Sequence, residues 1–257
     1  MTQSPLSAVA LLDSLNLGEA EIAAYSSEHK VLVVTTVGDE IKLVDASDLS
    51  DLSVVDSLGI SQYGSSAQGV DVSGGLVAVA VANKTNPNSG RGEVVFFQLS
   101  GEGSTAAMAA IGSVPVGSLP DAVSFNHDGS KLIVANEAQS ITAATDAEGS
   151  ISIIDTSSFD PISSSNSAST FTHNELTFGS YNGQDVKLNL QGVRISGRNY
   201  AQTGLGDGDA ADAVDFTGTL DAGQPSTPAT VAQDLEPECI AVLGDRAWVT
   251  LQENNAV

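Results

Sequence analysis

Four stretches of the chain share one pattern of apolar and polar positions. Each has a short apolar strand, a tight turn, a second strand rich in Val, Ile and Ala, and a polar loop that precedes a third strand. The clearest copy reads LPDAVSFNHDGSKLIVANE at 119–137 and GSISIIDTSSF at 149–159. The last copy covers only the first two strands. Such recurrence predicts a repeat protein, whose units open at Glu21, Gln68, Asp121 and Glu238.

The spacing of the units indicates their architecture. Units of three or four strands, about 40 residues or more apart, are typical of propeller blades. Weaker fourth strands are predicted at 53–58 and 111–116, and the run at 76–82 is apolar throughout, as in a strand buried on both faces. The sequence therefore predicts an all-β fold, a partial β-propeller with YVTN/WD40-like repeats, about three complete blades and the start of a fourth.

The predicted blades set the domain boundaries. Residues 1–20 are expected to be a lead-in or closing strand, 21–159 blades 1–3, and 235–257 the truncated start of blade 4. Residues 160–234 are interpreted as an inserted Ser-rich and acidic Gly-rich excursion, with a strand pair near 185–195. Because an incomplete blade leaves strand edges bare, we expect a longer protein to supply the remaining blades.

The charge balance limits the classes of partner that the protein can bind. Lys and Arg number 9 against 32 Asp and Glu, which gives a formal net charge of -23. This charge repels phosphates and argues against nucleic-acid binding. No stretch reaches the roughly 18 apolar residues of a membrane span, and no export signal is evident. The single cysteine, Cys239, excludes an internal disulfide and is expected, like Trp248 and Phe125, to be buried.

Several motifs together resemble a known family. They are VAQDLEPECIAV at 231–242 with AWVTLQENNAV at 247–257, the two segments of the third repeat, and EIAAY at 21–25. The sequence resembles the choice-of-anchor I family of secreted propeller proteins, whose members are often labelled alkaline phosphatase-like or mesenchyme-specific cell surface glycoprotein. The resemblance implies an extracellular or cell-surface location, and it raises phosphatase activity as a hypothesis.

Polar residues at strand ends form the first candidate site. In an antiparallel pair, the start of the first strand and the end of the second share one edge. Because first strands are innermost in a propeller, their ends should converge at the mouth of the axial channel. The residues predicted at this rim are Asp121, Asn136, Glu137, Glu238, Gln252, Glu253 and Asn254.

Carboxylates and amides at this density suit a hard cation such as Ca²⁺. We expect Glu137, Glu238 and Glu253 to be its ligands, or the catalytic groups of an enzyme, and the neighbouring Asp121, Asn136, Gln252 and Asn254 to bind ligand. A bound cation could hold a small anionic group such as a phosphate ester and polarise it. Alternatively, these side chains only cap hairpins by accepting backbone N–H bonds.

The second candidate is the acidic, glycine-rich loop at 204–216. Asp207, Asp209, Asp212 and Asp215 could surround Ca²⁺, since glycine lets the backbone aim several oxygens inward. The loop lacks the EF-hand pattern, and a solvated acidic loop is the alternative.

The remaining motifs leave three functions open. None of the three histidines lies beside an evident nucleophile, and no G-x-S-x-G, Walker or H-E-x-x-H motif occurs. The leading hypothesis is a binding module with a cation-dependent rim site, whose partner is a small anionic ligand, a surface or a protein. The alternatives are a metal-dependent phosphoesterase and a purely structural envelope module.

Overall fold

The computed structural model describes residues 11–139, 146–195 and 229–257. Within these ranges the chain forms four antiparallel sheets and two short α-helices, which confirms the all-β prediction. Sheets A, B and C each have four strands in chain order, and sheet D has two. Both weak fourth strands, predicted at 53–58 and 111–116, belong to these sheets.

The strands have the following bounds. Sheet A contains β1 (Ala20–Ser26), β2 (Val31–Thr36), β3 (Glu40–Asp45) and β4 (Ser53–Gly59). Sheet B contains β5 (Ala67–Ser73), β6 (Leu76–Val81), β7 (Arg91–Ser100) and β8 (Ala107–Ser118). Sheet C contains β9 (Pro120–Phe125), β10 (Lys131–Asn136), β11 (Ser150–Asp155) and β12 (Thr172–Thr177). Sheet D contains β13 (Pro237–Leu243) and β14 (Arg246–Leu251), and the helices are α1 (Asp185–Leu190) and α2 (Val231–Asp234).

The sheets pack face to face in chain order, and their first strands are neighbours. Strand β5 contacts both β1 and β9, and β9 in turn contacts β13. One apolar core fills the space between sheets A and B, and a second fills the space between B and C. In the second core, the rings of Phe96 and Phe171 meet edge to face with centroids 4.9 Å apart. Strand β6 is buried on both faces because it lies between the two cores, which explains its unbroken apolar sequence.

The third repeat extends further than its sequence suggested. Strand β12 lies inside the predicted excursion at 160–234, yet it pairs with β11 and completes sheet C. Its residues are mostly exposed, so it lacks the apolar alternation that would mark a strand. The boundary of the repeat therefore falls after Thr177. Residues 11–19, ahead of β1, have no regular secondary structure.

The predicted strand pair near 185–195 is wrong, because its first half is helix α1. Val186, Leu188 and Leu190 alternate like a strand, but in a helix residues two apart lie on different faces. Leu188 is buried against Val231 and Leu235, whereas Val186 and Leu190 are exposed. Helix α1 therefore packs one side chain against α2 and the residue that follows it, just ahead of sheet D.

Sheet D also differs from expectation on its outer face. Cys239 and Trp248 were expected to be buried, but Cys239 is exposed and Trp248 is 44% exposed. The cause is that, among the described residues, no further sheet packs on this face. Phe125, which lies between sheets B and C, is buried as predicted.

Candidate acidic site at the sheet ends

The same irregularity occurs where each first strand begins. In sheet C, Pro120 pairs with Asn136 and Ala122 with Ala135, so Asp121 is an extra residue that forms a β-bulge. Gln68 is the extra residue in sheet B. Sheets A and D shift register within 20–23 and 237–240, which contain Glu21 and Glu238. Since bulges bend a strand and re-aim its side chains, they release these repeat-opening residues from the regular ladder.

Five carboxylates converge at this end of sheets C and D, and we call them the rim cluster: Asp121, Glu137, Glu236, Glu238 and Glu253. Burial, followed by repulsion from the other four carboxylates, raises the pKa of Glu137 to about 8. Such repulsion requires the carboxylates to lie near one another, and strands β9 and β10 both contact β13. The structure thus brings together four residues predicted from the sequence, namely Asp121, Glu137, Glu238 and Glu253.

Two other carboxyl groups of the cluster, Asp121 and Glu238, also have raised pKa values. Burial raises the pKa of Asp121, with a further contribution from the charge of Glu21 on sheet A. Burial, then Asp121 and Glu253, raise the pKa of Glu238. Of the four ion pairs among the residues with described positions, none includes Asp121, Glu137, Glu238 or Glu253. Wherever these four carboxyl groups are ionised, no salt bridge of the described chain offsets their charge.

The carboxylates of the rim cluster are not arranged as a preformed metal site. Across the described ranges, no three His, Cys, Asp or Glu side chains are placed to hold one metal ion. Any cation bound here would require the long Glu side chains to change rotamer.

Asn136 faces away from the rim cluster, although it is adjacent to Glu137, because neighbouring strand residues point to opposite faces. It is fully buried, and its Nδ2 donates to the hydroxyls of Ser150 and Ser152 at 3.1 and 3.0 Å. A Cβ atom at Gly117 would lie 2.6 Å from Asn136 Cβ, so the glycine makes room for this amide. Asn136 thus fixes β10 against β11 and β8.

The hydroxyl of Ser150 extends this network to sheet B. It donates to Glu175 Oε1 at 2.8 Å, and Glu175 Oε2 accepts from Arg91 Nη2 at 2.8 Å. Arg91 begins β7, whereas Glu175 lies on β12. The ion pair therefore ties the third strand of sheet B to the outermost strand of sheet C.

Asn254 is buried and has a structural set of contacts. Its Nδ2 donates to the carbonyl oxygens of Arg194 and Asp234, both at 2.8 Å, and its Oδ1 accepts from the Glu236 N–H at 3.4 Å. These bonds hold the backbone that enters β13. Gln252 lies exposed in the turn after β14.

Sequence reasoning missed Glu236, which is buried and adds charge to the rim cluster. The DLEPE motif could have indicated this residue, since Glu236 precedes Glu238 by two residues at the start of the same strand. The second candidate, formed by Asp207, Asp209, Asp212 and Asp215, lies outside the described residues.

The comparisons with known proteins give one family. In the described parts of the chain, neither helix has the length and apolarity needed to cross a membrane. A search of curated proteins returned no match. A family model, described as the choice-of-anchor I domain, matches residues 21–257 and therefore most of the chain. The chain belongs to the choice-of-anchor I family.

Proposed function

We propose that the protein is a surface-associated β-propeller module that binds a hard cation, Ca²⁺ foremost, at the rim cluster. Membership in the choice-of-anchor I family indicates a surface-associated protein, and an extracellular or cell-surface location suits an acidic chain. The propeller is supported by three four-stranded meanders whose first strands are neighbours. In that architecture, further strands and blades complete sheet D and the ring.

The observation that carries the binding proposal is the convergence of Asp121, Glu137, Glu238 and Glu253, none of which forms an ion pair with another residue that the structure describes. Like charges held together in partly buried positions destabilise one another, and a cation or a proton relieves the repulsion. Ca²⁺ accepts six to eight oxygen ligands in flexible geometry, so it tolerates carboxylates that must adjust their rotamers. Glu137, Glu238 and Glu253 are the proposed ligands, with Asp121 and Gln252 at the edge of the site.

A cation at this rim would also attract anions. With coordination positions left open, it would bind a small anionic ligand, such as a phosphate ester or an acidic group on a partner surface. In this arrangement the protein supplies position and charge, and the cation supplies the contact to the anion.

One observation favours hydrolysis as a second function. The raised pKa of Glu137, about 8, keeps this carboxyl largely protonated at neutral pH. In this second function Glu137 would stay outside the coordination sphere of the cation and keep its proton, so it could act as a general acid towards a phosphate ester held by the cation. The assay is phosphomonoesterase and phosphodiesterase turnover with chelator and after Ca²⁺ is added back. Turnover that needs Ca²⁺ and is lost in Glu137→Gln supports an enzyme, whereas Ca²⁺ binding without turnover restricts the proposal to binding.

Ca²⁺ is expected to stabilise the protein through the rim cluster. At 100 times its dissociation constant, a ligand specific for the folded state adds about 2.7 kcal/mol to the free energy of unfolding. The double variant Glu238→Gln with Glu253→Gln should lose most of this gain, because it removes two proposed ligands. The measurement is the Ca²⁺-induced change in melting temperature, and Ca²⁺ affinity by calorimetry.

A matched double variant separates a specific site from general charge screening. Glu28→Gln with Glu102→Gln removes the same charge at the opposite end of sheet A, where Glu102 pairs with Lys30 at 2.9 Å. It should keep the full Ca²⁺ response. An equal loss in both double variants, or no Ca²⁺ response in the wild-type protein, would contradict the proposed site and leave a purely structural module.

A further inference from the structure

A polar residue occupies the irregular start of the first strand in each sheet. Three of these residues are carboxylates and one is an amide, and in chain order they are Glu21, Gln68, Asp121 and Glu238. The four first strands contact one another in the same order. The irregular starts therefore lie side by side at one end of the sheets, and Gln68 is the neutral member of the series.

The packing of sheet B places Gln68 beside Asp121. A Cβ atom at Gly69 would lie only 2.6 Å from the carbonyl oxygen of Asp121, so a side chain at residue 69 would prevent the close approach of the two bulges. On its other side, β5 contacts β1 of sheet A. The charge of Glu21 contributes to the raised pKa of Asp121 even though sheet B lies between their sheets. Gln68 thus starts from the backbone that separates two carboxylates of the same end.

One hydrogen bond orients the amide of Gln68. Its Nε2 donates to the hydroxyl oxygen of Ser66 at 2.6 Å. Within the described parts of the chain the amide makes this one hydrogen bond, so its Oε1 is available to a ligand. Gln68 is half-buried, as are Asp121 and Glu238. An amide oxygen held in this way is a ligand that Ca²⁺ accepts together with carboxylates.

We propose that Gln68 is a further ligand of the cation site, next to Asp121, and that its neutral oxygen limits the affinity of the site for Ca²⁺. This inference rests on the proposed function, because it adds a ligand to the same site. A neutral ligand at this position avoids further repulsion in the ion-free protein, and it also attracts a cation less than a carboxylate would. Ser66 is a positioning residue, since it acts only through the amide of Gln68.

The Gln68→Glu variant tests the charge at this position. It should strengthen Ca²⁺ binding about tenfold, because the affinity of a Ca²⁺ site rises with the number of charged ligands. In chelator it should be less stable than the wild-type protein, since the new carboxylate repels Asp121 and Glu21. The matched control, Ser100→Glu, adds the same charge at the exposed opposite end of sheet B and should leave the affinity unchanged. Calorimetry gives the affinity, and denaturant unfolding gives the stability.

Two further variants test the amide oxygen and its orientation. Gln68→Leu removes the proposed ligand at similar side-chain size and should weaken Ca²⁺ binding about tenfold. Ser66→Ala keeps the amide but releases it from its hydrogen bond. This variant should weaken binding about threefold, because the side chain must then be ordered when the ion binds.

The outcomes separate this inference from the proposed function. If Gln68 only stabilises its own strand through Ser66, the variants at both positions change stability in chelator but keep the wild-type Ca²⁺ affinity. That result would overturn the role of Gln68 while the site at Glu238 and Glu253 stands. A wild-type protein that binds no Ca²⁺ would overturn both, because Gln68 would then have no cation to coordinate.

Discussion

In the presence of chelator, the Glu137→Gln variant is expected to be more stable than the wild-type protein at pH 8, and equally stable near pH 4. Burial and neighbouring carboxylates raise the pKa of Glu137 from 4.5 to about 8 in the folded protein. The folded state therefore binds a proton that the unfolded state releases above pH 4.5. By linkage, the stability from this proton is fully present below pH 4.5 and is lost as pH rises through 8. A neutral glutamine keeps the uncharged state at every pH.

The size of this gain in stability follows from the shift in the pKa of Glu137. Each pKa unit corresponds to about 1.4 kcal/mol, so the variant should gain on the order of 3–5 kcal/mol at pH 8. Denaturant unfolding between pH 4 and 9 measures the gain. Glu28→Gln, an exposed matched control, should follow the wild-type profile. A wild-type profile as flat as that of Glu137→Gln would contradict the raised pKa and the convergence of charges at the rim.

The same proton gives a direct test of cation binding at the rim. If Ca²⁺ binds among these carboxylates, it favours their ionised forms and displaces the proton from Glu137. Adding Ca²⁺ at pH 7 should therefore release close to one proton per protein molecule and remove the stability difference between Glu137→Gln and the wild-type protein. Ca²⁺ binding without proton release would place the ion elsewhere.

Repetition made most of the sheet structure predictable. The strand–turn–strand unit places Asp121 and Glu137 on one edge whatever the rest of the fold, because antiparallel pairing is local. The four first strands then bring Glu238 and Glu253 to the same region. The sequence alone could not locate β12, whose exposed residues carry no apolar period.

The faces of individual side chains were harder to predict. The sequence analysis assigned Asn136 and Glu137 to the same rim. Because successive residues of an extended chain point to opposite faces, Asn136 points into the interface between sheets B and C and Glu137 points towards the rim cluster. A local sequence pattern also cannot show which distant residues a side chain will bond to. Asn254 bonds to the carbonyl of Arg194, 60 residues away along the chain, so its structural contacts could not be read from the motif LQENNA.

The Asn254→Ala variant is expected to lose about 2–4 kcal/mol of folding free energy. It removes two donors at 2.8 Å, to the carbonyls of Arg194 and Asp234, and an acceptor for the Glu236 N–H. Asn254 is only 2% exposed, so water cannot readily replace these bonds. Leaving buried polar groups without partners costs about 1–3 kcal/mol for each group, and partial relaxation limits the sum. Denaturant unfolding gives the free energy, and hydrogen exchange at α2 and the start of β13 should show local loosening.

The variant also separates a structural role from the ligand-binding role that the sequence suggested for Asn254. Gln252→Ala removes an exposed amide from the same turn and should change stability by less than about 0.5 kcal/mol. If Asn254 holds the entrance to β13, Asn254→Ala lowers the melting temperature equally with and without Ca²⁺. If it is instead a cation ligand, stability in chelator stays near the wild-type value and the Ca²⁺-induced stabilisation disappears. The contacts favour the first result, because the two donated bonds at 2.8 Å fix the amide against backbone carbonyls, and Oδ1, the atom that would coordinate a cation, already accepts from the Glu236 N–H.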